Sequence, residues 1–243
     1  PKGNLNMPVH SAGALSYFIG EGCPALPQKQ GVGNIKFNAK KQVSMVLITD
    51  ELLMDNSYSA DQAFLEDMLN EMAVVINYTA LYGTGTDYTP LGLFNNPGVV
   101  KTPFNSLINV AFPATVKGDI MKTDVPKMNL GGIWNGVLWS QFYNLTDGNG
   151  SFIYRDEMNM NKLVGDPFYM FNDIPVGTTG NNVTDYFYGD WSEFMVAEQS
   201  MFNVESSKEA TITDSSGRNI NLFQNGWTAI KVTSFYDFGI RHA

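Results

Sequence analysis

Residues 59–83 read SADQAFLEDMLNEMAVVINYTALYG, and this stretch predicts one long helix. Ser59 and Gln62 have the spacing of a capping box, in which each side chain satisfies a backbone donor at the helix start. Gly83 is expected to end the helix in the left-handed cap conformation. The element spans about 22 residues, or roughly 33 Å, which suits a structural spine. Apolar side chains recur at helical spacing and predict its buried face: Leu65, Met68, Leu69, Met72, Val75, Ile76 and Ala80.

The sequence before this helix predicts a long β-arm. Residues 14–19 are apolar and aromatic, residues 35–39 alternate apolar and polar side chains, and residues 43–48 form an apolar run rich in β-branched residues. Between the first two segments lies a stretch punctuated by glycine and proline that cannot be helical. We therefore predict two extended segments joined by a proline-bearing tip. A stretch of this length without a core of its own is expected to lie against another surface.

The sequence after the helix predicts mainly strands. A turn-rich connector over 83–98 comes first, and no internal repeat follows it. The predicted elements are a buried strand over 132–140 with a short helix from Gln141, a turn at 147–150, strands over 168–171, 186–188, 194–197 and 201–205, a hairpin of 210–213 with 220–223 around a turn at 214–217, and a last strand over 228–235. These elements together predict an α+β chain with a mostly antiparallel sheet.

Composition and charge exclude several classes of protein. The formal net charge of −9, with scattered basic residues, argues against sequence-reading contact with nucleic acid. No apolar run approaches the roughly 20 residues that cross a bilayer, and no signal peptide is evident at the start. We therefore expect a soluble protein that does not contact membranes and is used in a cytoplasm. Because the sequence starts with Pro1, we expect a removed or unobserved segment before it. The single cysteine, Cys23, has no partner for an internal disulfide.

The residues that usually carry catalysis are nearly absent. The chain has two histidines, His10 and His242, and each lies close to one end, where chains are usually mobile. Cys23 has no second cysteine or nearby histidine that could complete a zinc site. Carboxylates that lie close together in sequence could serve a glycosidase in principle, although most such pairs are solvated: Glu66 with Asp67, Asp156 with Glu157, and Asp190 with Glu193. We predict no catalytic residue, no cofactor and no metal.

Six short motif groups follow one another along nearly all of residues 18–243. They are GEG at 20–22 with TDELLMD at 49–55, LYGTGT at 81–86 with PLGLFN at 90–95, DGNGSFIY at 147–154, LVGDPF at 163–168, YGDWSEF at 188–194 and LFQNGWTAI at 222–230. In this order they resemble the HK97-type major capsid proteins of tailed bacteriophages. Each motif alone is weakly specific, whereas the shared order is specific.

The resemblance implies a fold, its division into domains and the surfaces that touch neighbours. The implied fold is the α+β HK97-type capsid fold, with an extended β-hairpin called the E-loop, a peripheral domain with a long spine helix, and an axial domain with a mostly antiparallel sheet. The implied ranges are 17–49 for the E-loop, 50–104 with 204–232 for the peripheral domain, and 105–203 with 233–243 for the axial domain. The implied subunit contacts are Glu21, Pro24, Pro27, Lys29, Ile35 and Phe37 in the E-loop, and Asn225 in a peripheral loop.

One covalent step occurs in a few members of that family. There, an E-loop lysine forms an isopeptide bond with a peripheral-domain asparagine of a neighbour, helped by a buried glutamate. Lys29 and Asn225 lie in similar places, but the helper position, seven residues beyond Asn225, is Val232. Without a carboxylate to take the lysine proton, we expect no crosslinking and interpret Asn225 as a loop residue.

The implied function is structural. The resemblance describes a subunit that self-assembles into the icosahedral virion capsid in the host cytoplasm and encloses phage double-stranded DNA without sequence-specific contact. Its implied partners are copies of itself in pentamers and hexamers, together with portal, scaffold or decoration proteins. The alternatives are an encapsulin-type nanocompartment, which would enclose an enzyme, a carbohydrate-binding or adhesin β-domain, suggested by the Trp, Tyr and Asn content, and an enzyme of unrecognised type.

Overall fold

A computed structural model of the chain describes residues 4–10, 16–21, 24, 31–54, 60–86, 88–104, 108–122, 127–177, 184–213 and 216–241. Its elements in chain order are β1 (Asn4–His10), β2 (Val32–Asn38), β3 (Lys40–Thr49), α1 (Asp50–Met54), α2 (Ala60–Tyr82), α3 (Phe112–Met121), β4 (Leu130–Trp134), α4 (Gly136–Tyr143), α5 (Arg155–Asn159), β5 (Lys162–Leu163), β6 (Asp166–Met170), β7 (Phe187–Asp190), β8 (Phe194–Ser207), β9 (Thr211–Thr213), β10 (Asn219–Asn221), α6 (Leu222–Asn225) and β11 (Trp227–Ile240). They form two compact units, Pro1–Val99 with Met195–Ala243, and Val100–Phe194.

The first unit is built on a three-stranded sheet with α2 against one face. Its strand order is β3-β11-β8, and β11 pairs antiparallel with β3 from Trp227↔Thr49 to Tyr236↔Lys40. Because side chains alternate along a strand, every second residue of β3 and β11 points toward α2. Val232 meets Met68 and Met72 there, with four partly buried residues around them: Val46, Leu65, Leu69 and Ile230. This contact is the core of the unit.

The predicted spine helix is confirmed as α2, with one error on its buried face. Met68 and Met72 are buried, whereas Val75 is about half exposed. The amide of Gln42, near the start of β3, donates a hydrogen bond to the carbonyl of Met72. The next turn of α2 therefore extends past that end of the strand, and Val75 has no sheet beneath it. Ser59, the predicted cap residue, lies outside the described residues.

Gly83 ends α2 for a different reason from the predicted one. Its φ is not positive, so the expected left-handed cap is wrong. A Cβ on Gly83 would instead lie 2.3 Å from the carbonyl oxygen of Pro90, and one on Gly92 would lie 2.3 Å from the amide nitrogen of Gly83. The amide of Gly92 also donates to the carbonyl of Gly83 at 2.9 Å. Two backbone segments therefore cross here at a distance that only glycine permits.

The β-arm exists, but its first strand is not the predicted one. β2 pairs antiparallel with β1, from Asn4↔Asn38 to His10↔Val32. Residues 16–19, within the segment 14–19 predicted to be extended, form no ladder. The missed strand carries the alternation of Leu5, Met7 and Val9 with polar neighbours, a weak signal because Pro8 argues against a central strand. Pro8 is tolerated because β1 is the edge strand of a two-stranded sheet.

The second unit is organised around a fully buried tryptophan. Its sheet has the order β5-β6-β4-β7, in which β4 runs parallel to β6 and antiparallel to β7. The pairs β1–β2, β9–β10, β3–β11 and β5–β6 are also antiparallel, which confirms the mostly antiparallel prediction. Trp134 stacks on Phe168 with ring centroids 4.6 Å apart and meets the edge of Phe142. These residues form one core cluster with Leu138, Tyr154, Met158 and Leu163.

Two predicted boundaries in this half of the sequence are wrong. The strand predicted over 132–140 ends at Trp134, and α4 begins at Gly136 rather than at Gln141. The cause is Asn135, whose side chain accepts a hydrogen bond from the amide of Leu138 and caps the helix. The strands predicted over 194–197 and 201–205 are one continuous strand, β8.

Several other predictions are confirmed. In the turn at 147–150, the carboxylate of Asp147 accepts from the amides of Asn149 and Ser151. The predicted hairpin is present as β9 and β10, although its second strand ends at Asn221, where α6 begins. The predicted domain ranges stay a prediction. The contact-defined first unit also contains 233–243, because β11 runs unbroken to Ile240.

Asp190, in the YGDWSEF motif, fixes a loop of the second unit. Its carboxylate accepts from the amides of Met128, Asn129 and Ser192 and from the Ser192 hydroxyl. Burial by itself raises the pKa of Asp190, but these hydrogen bonds outweigh it and lower the pKa to about 2. The carboxylate thus stabilises the fold fully above its unfolded pKa of about 4, and the stabilisation is lost as the pH falls through about 2.

We expect Asp190→Asn to lower the free energy of unfolding by about 1–2 kcal/mol at pH 7, because one acceptor oxygen becomes a donor facing backbone N–H groups. The difference from wild type should shrink between about pH 4 and pH 2. Urea unfolding across this pH range measures it. Asp173→Asn, at an exposed carboxylate of the same unit, is the matched control and should change little. A difference that does not depend on pH would contradict this role of Asp190.

Candidate subunit interface

The arm, defined here as residues 4–38, is fixed to the first unit at its root. The amide of Asn38 donates to Oδ2 of Asp237 at 2.6 Å, and the amide of Phe238 donates to Oδ1 of the same carboxylate. Asp237 is buried. A Cβ on Gly239 would lie 2.8 Å from the ring of Phe37, so this ring rests directly on the β11 backbone. The arm therefore starts from a fixed position.

The two-stranded ribbon has an apolar face and a polar face. Directly opposed residues of an antiparallel pair share a face. Leu5↔Phe37 and Met7↔Ile35 therefore belong to one face, and Asn6↔Lys36 belongs to the other. Phe37 is buried against β11, whereas Leu5 is more than half exposed. The root of the apolar face is covered by its own chain, and part of the same face stays open.

The predicted E-loop contacts fall into three groups. Glu21 and Pro24 are exposed beyond the ribbon, Ile35 is partly buried, and Phe37 is buried within its own chain. Pro27 and Lys29 lie outside the described residues. Next to Glu21, residues 16–20 belong to no helix or strand and are exposed at every position, and Phe18 is fully exposed. The role of these residues in subunit contacts stays a prediction.

Asn225 lies on the surface at the end of α6. Its amide donates to the carbonyl of Asn221, whose own side chain caps the helix by accepting from the amide of Gln224. Gly226 follows in the left-handed conformation, with φ at 62°. Val232, the position where the resemblance places a helper carboxylate, is fully buried beneath α2. Asn225 is therefore the last residue of a short helix rather than a loop residue, and its role in subunit contacts stays a prediction.

The face of the sheet opposite α2 carries an open groove that the sequence analysis missed. We call it the outer groove: a cavity of about 480 Å³ lined by Lys41, Phe202, Asn203, Glu205, Lys231, Thr233 and Phe235. A second cavity of about 420 Å³ shares Glu205 and Lys231 with it and reaches Met45 and Ile212. The two cavities therefore adjoin. The strands that line the groove lie far apart in sequence. The signal in the sequence was the alternation of apolar and polar side chains along β3, which indicates that one face of this strand points outward.

The outer groove is amphipathic. Phe202 is partly exposed there, and Val43 and Met45, on the same face of β3, are almost half exposed. Lys231 forms an ion pair with Glu205. The hydrogen bond and the charge of Lys231 lower the pKa of Glu205, and Lys41 contributes to the same shift. The groove thus has two cations, one anion and apolar walls.

Large hydrophobic side chains are exposed at many of the described positions: Leu5, Phe18, Met54, Tyr88, Val100, Met128, Met160 and Phe223 are examples. Such surface is typical of a protein that is completed by neighbours.

The described residues show no arrangement typical of metal-dependent chemistry. Among them, no group of three or more His, Cys, Asp or Glu side chains is placed to hold a metal ion. None of the helices in the described part of the chain combines the length and apolar character needed to span a membrane.

One family profile and two known proteins match the sequence of this chain. The sequence profile of the phage capsid family matches residues 1–243. The major capsid protein of Klebsiella oxytoca phage phiKO2 is 26% identical over 255 residues, covering 100% of this chain and 58% of that protein. The major capsid protein of Halomonas phage phiHAP-1 is 22% identical over 231 residues, covering 92% of this chain and 36% of that protein. The chain spans less than two thirds of the length of either relative.

Solved structures share the fold at low sequence identity. A structure from Mycobacterium phage Adephagia has a TM-score of 0.75 at 13% identity, covering 99% of this chain and 80% of that one. A capsid of a native GTA particle has a TM-score of 0.72 at 13% identity, covering 99% and 82%. These likenesses confirm the predicted α+β HK97-type fold.

Proposed function

Since the chain belongs to the phage capsid family, we propose that it is a structural subunit that self-assembles into an icosahedral virion shell around double-stranded DNA. The observation that carries this proposal is the arm. It is fixed at its root by Asp237, has an apolar face that is partly open, and continues into an exposed apolar segment. A ribbon of this kind needs a second surface to cover it, and another copy of the chain supplies one in a shell.

Closed shells suit a subunit with two different contact surfaces. A heterologous contact joins two different surfaces, and it closes into a ring when a whole number of its rotations makes one full turn. Pentamers and hexamers therefore need a donor surface and a distinct acceptor surface on each subunit. The arm supplies the first and the body of the first unit supplies the second. The affinity of each single contact can be modest, because every subunit repeats the contact with several neighbours.

Further partners follow from this role. The packaged DNA would face a chain with a net charge of −9, which favours enclosure without sequence-specific contact. Portal, scaffold and decoration proteins are the other proposed partners, and assembly would take place in the host cytoplasm. We propose no catalytic activity for the described residues. The E-loop contacts would include Glu21, Pro24, Pro27, Lys29, Ile35 and Phe37, and Asn225 would belong to a peripheral contact loop.

The test is to remove the arm's tip without disturbing its root. His10 pairs with Val32, so residues 11–31 can be replaced in the full-length protein by Asn-Gly, a two-residue turn that closes an antiparallel hairpin. We expect a folded protein that stops at monomers or rings and forms no closed shells. Light scattering and negative-stain microscopy measure this. Normal closed shells from the shortened protein would contradict the arm as the main contact.

The contents of purified particles separate the capsid from its alternatives. We expect particles of megadalton mass that contain double-stranded DNA. An enclosed enzyme in place of DNA would indicate a nanocompartment shell. A stable monomer that binds glycans would indicate a carbohydrate-binding domain. Either result would overturn the proposal.

A further inference from the structure

We infer that Arg155 binds a carboxylate group, and that this carboxylate is an Asp or Glu side chain of a second copy of the chain. The inference rests on the proposed function and goes one step further, because it names a contact residue outside the arm and the chemical group that this residue receives. The site lies in the second unit, where Arg155 directly follows the DGNGSFIY motif.

Arg155 lies against two aromatic rings. Its guanidinium carbon is 3.3 Å from the centroid of the Phe152 ring and 4.7 Å from the centroid of the Tyr143 ring. Trp139 stacks in turn on Tyr143, with ring centroids 4.6 Å apart. An aromatic face attracts a cation at such a distance, and the planar guanidinium also stacks on it. The rings therefore hold the guanidinium in one orientation before anything binds to it.

The charge of Arg155 has no partner within the described part of its own chain. No carboxylate there forms an ion pair with it, and none of its N–H groups meets an acceptor. The acids that follow it in α5, Asp156 and Glu157, do not face it, because neighbouring residues of a helix point in different directions. Nε is buried, so an acceptor has to reach the guanidinium at its outer end, through the two terminal nitrogens.

A carboxylate is the group that matches these donors. Its two oxygens accept two parallel N–H bonds from the terminal nitrogens, in the bidentate geometry that arginine forms with planar anions. The chain carries 24 acidic side chains against 15 basic ones, so a second copy brings an excess of carboxylates to any contact. Charge complementarity therefore favours another copy of the chain as the source of the carboxylate.

The residues near Arg155 in sequence are apolar and exposed. Phe152 and Ile153 precede it, and Met160 follows the end of α5 and is three-quarters exposed. A covering surface would exclude water from these side chains, and an ion pair is stronger where water is excluded. Arginine and aromatic residues are also enriched among the residues that carry most of the binding energy of an interface. This surface thus has the composition of a contact that a second copy completes.

The first experiment removes the charge from the full-length protein. We expect Arg155→Gln to raise the protein concentration needed for shell formation at least about tenfold, because a carboxylate of the neighbouring copy loses its cation at every repeated contact. Lys162→Gln removes the same charge from an exposed position of the same unit and should leave that concentration unchanged. Circular dichroism and thermal unfolding show that both variants are folded. Arg155→Gln shells that form at the wild-type concentration would overturn the inference.

The second experiment identifies the group that meets position 155. Arg155→Lys keeps the positive charge and supplies a primary amine. Particles assembled from an equal mixture of light-nitrogen and heavy-nitrogen protein of this variant are treated with a water-soluble carbodiimide. The reagent activates a carboxylate, and the amine then forms an amide bond with it while the reagent leaves as a urea. We expect a crosslinked peptide pair that joins position 155 of one label to an Asp or Glu of the other label, detected by mass spectrometry. Wild-type particles, which have no amine at position 155, are the matched control.

The outcomes separate this inference from the proposed function. Arg155→Lys particles that give no crosslink at position 155, or crosslinks within one label only, would overturn the carboxylate site and keep the shell. Arg155→Gln shells that form normally but retain less DNA would identify a phosphate as the ligand, which would also overturn the carboxylate. Wild-type protein that forms no particles would overturn the proposed function itself.

Discussion

Val232→Glu is expected to lower the free energy of unfolding of the first unit by more than about 4 kcal/mol and to prevent shell formation. Val232 is fully buried against Met68 and Met72. The polar groups on that side of the sheet are already used, because Ser234 donates to Gln42 and Gln42 donates to the carbonyl of Met72. A carboxylate at position 232 would be buried without a partner. Urea unfolding measures the loss of stability, and negative-stain microscopy measures the loss of shells.

The control for this variant is Val75→Glu. Val75 lies on α2 like Met68 and Met72, but it is half exposed beyond the end of the sheet. The same substitution there should change the free energy of unfolding by no more than about 0.5 kcal/mol. A Val232→Glu protein with wild-type stability would show that position 232 does not belong to the core. A covalent ladder of subunits on a denaturing gel of that variant would show that a carboxylate here supports crosslinking through Asn225.

The parts of the fold that could be predicted are those with local signals. Apolar residues recur at helical spacing over 65–76 and predict α2. This signal is local because the backbone hydrogen bonds of a helix join residues about one turn apart. The turn at 147–150 follows from Asp147 and its glycines in the same way. The strand predicted over 132–140 failed for a local reason as well: an apolar run suits both strand and buried helix, and Asn135 was the cap that decided between them.

The parts that could not be predicted depend on contacts between distant residues. β1 and β2 meet across more than 20 residues of sequence, and nothing local to Leu5 or Met7 names Ile35 and Phe37 as their partners. The outer groove depends on even larger separations in sequence, because residues near 41, 203 and 233 line it from β3, β8 and β11. The candidate site was therefore only half predicted: an arm before α2 followed from its composition, whereas its first strand, β1, and the outer groove became visible only in the folded chain.

Gly92→Ala is expected to lower the free energy of unfolding of the first unit by about 3 kcal/mol or more. The added Cβ would lie 2.3 Å from the amide nitrogen of Gly83, 2.7 Å from the carbonyl oxygen of Thr79 and 2.9 Å from the carbonyl carbon of Leu81, all backbone atoms that no side-chain rotation can move. The hydrogen bond from the Gly92 amide to Gly83 would break as the segments separate, and the end of the spine helix would lose its support.

The matched control for Gly92→Ala is Gly118→Ala in α3, where the added methyl group meets nothing within 4 Å. A glycine inside a helix is less favourable than alanine, so this variant should gain about 0.5–1 kcal/mol. Urea unfolding of both variants therefore gives opposite signs for one chemical change, because one position lies at a backbone crossing and the other on an open helix surface. A Gly92→Ala protein as stable as wild type would show that the two backbone segments can separate without cost, and the connector would then not be what fixes the end of α2.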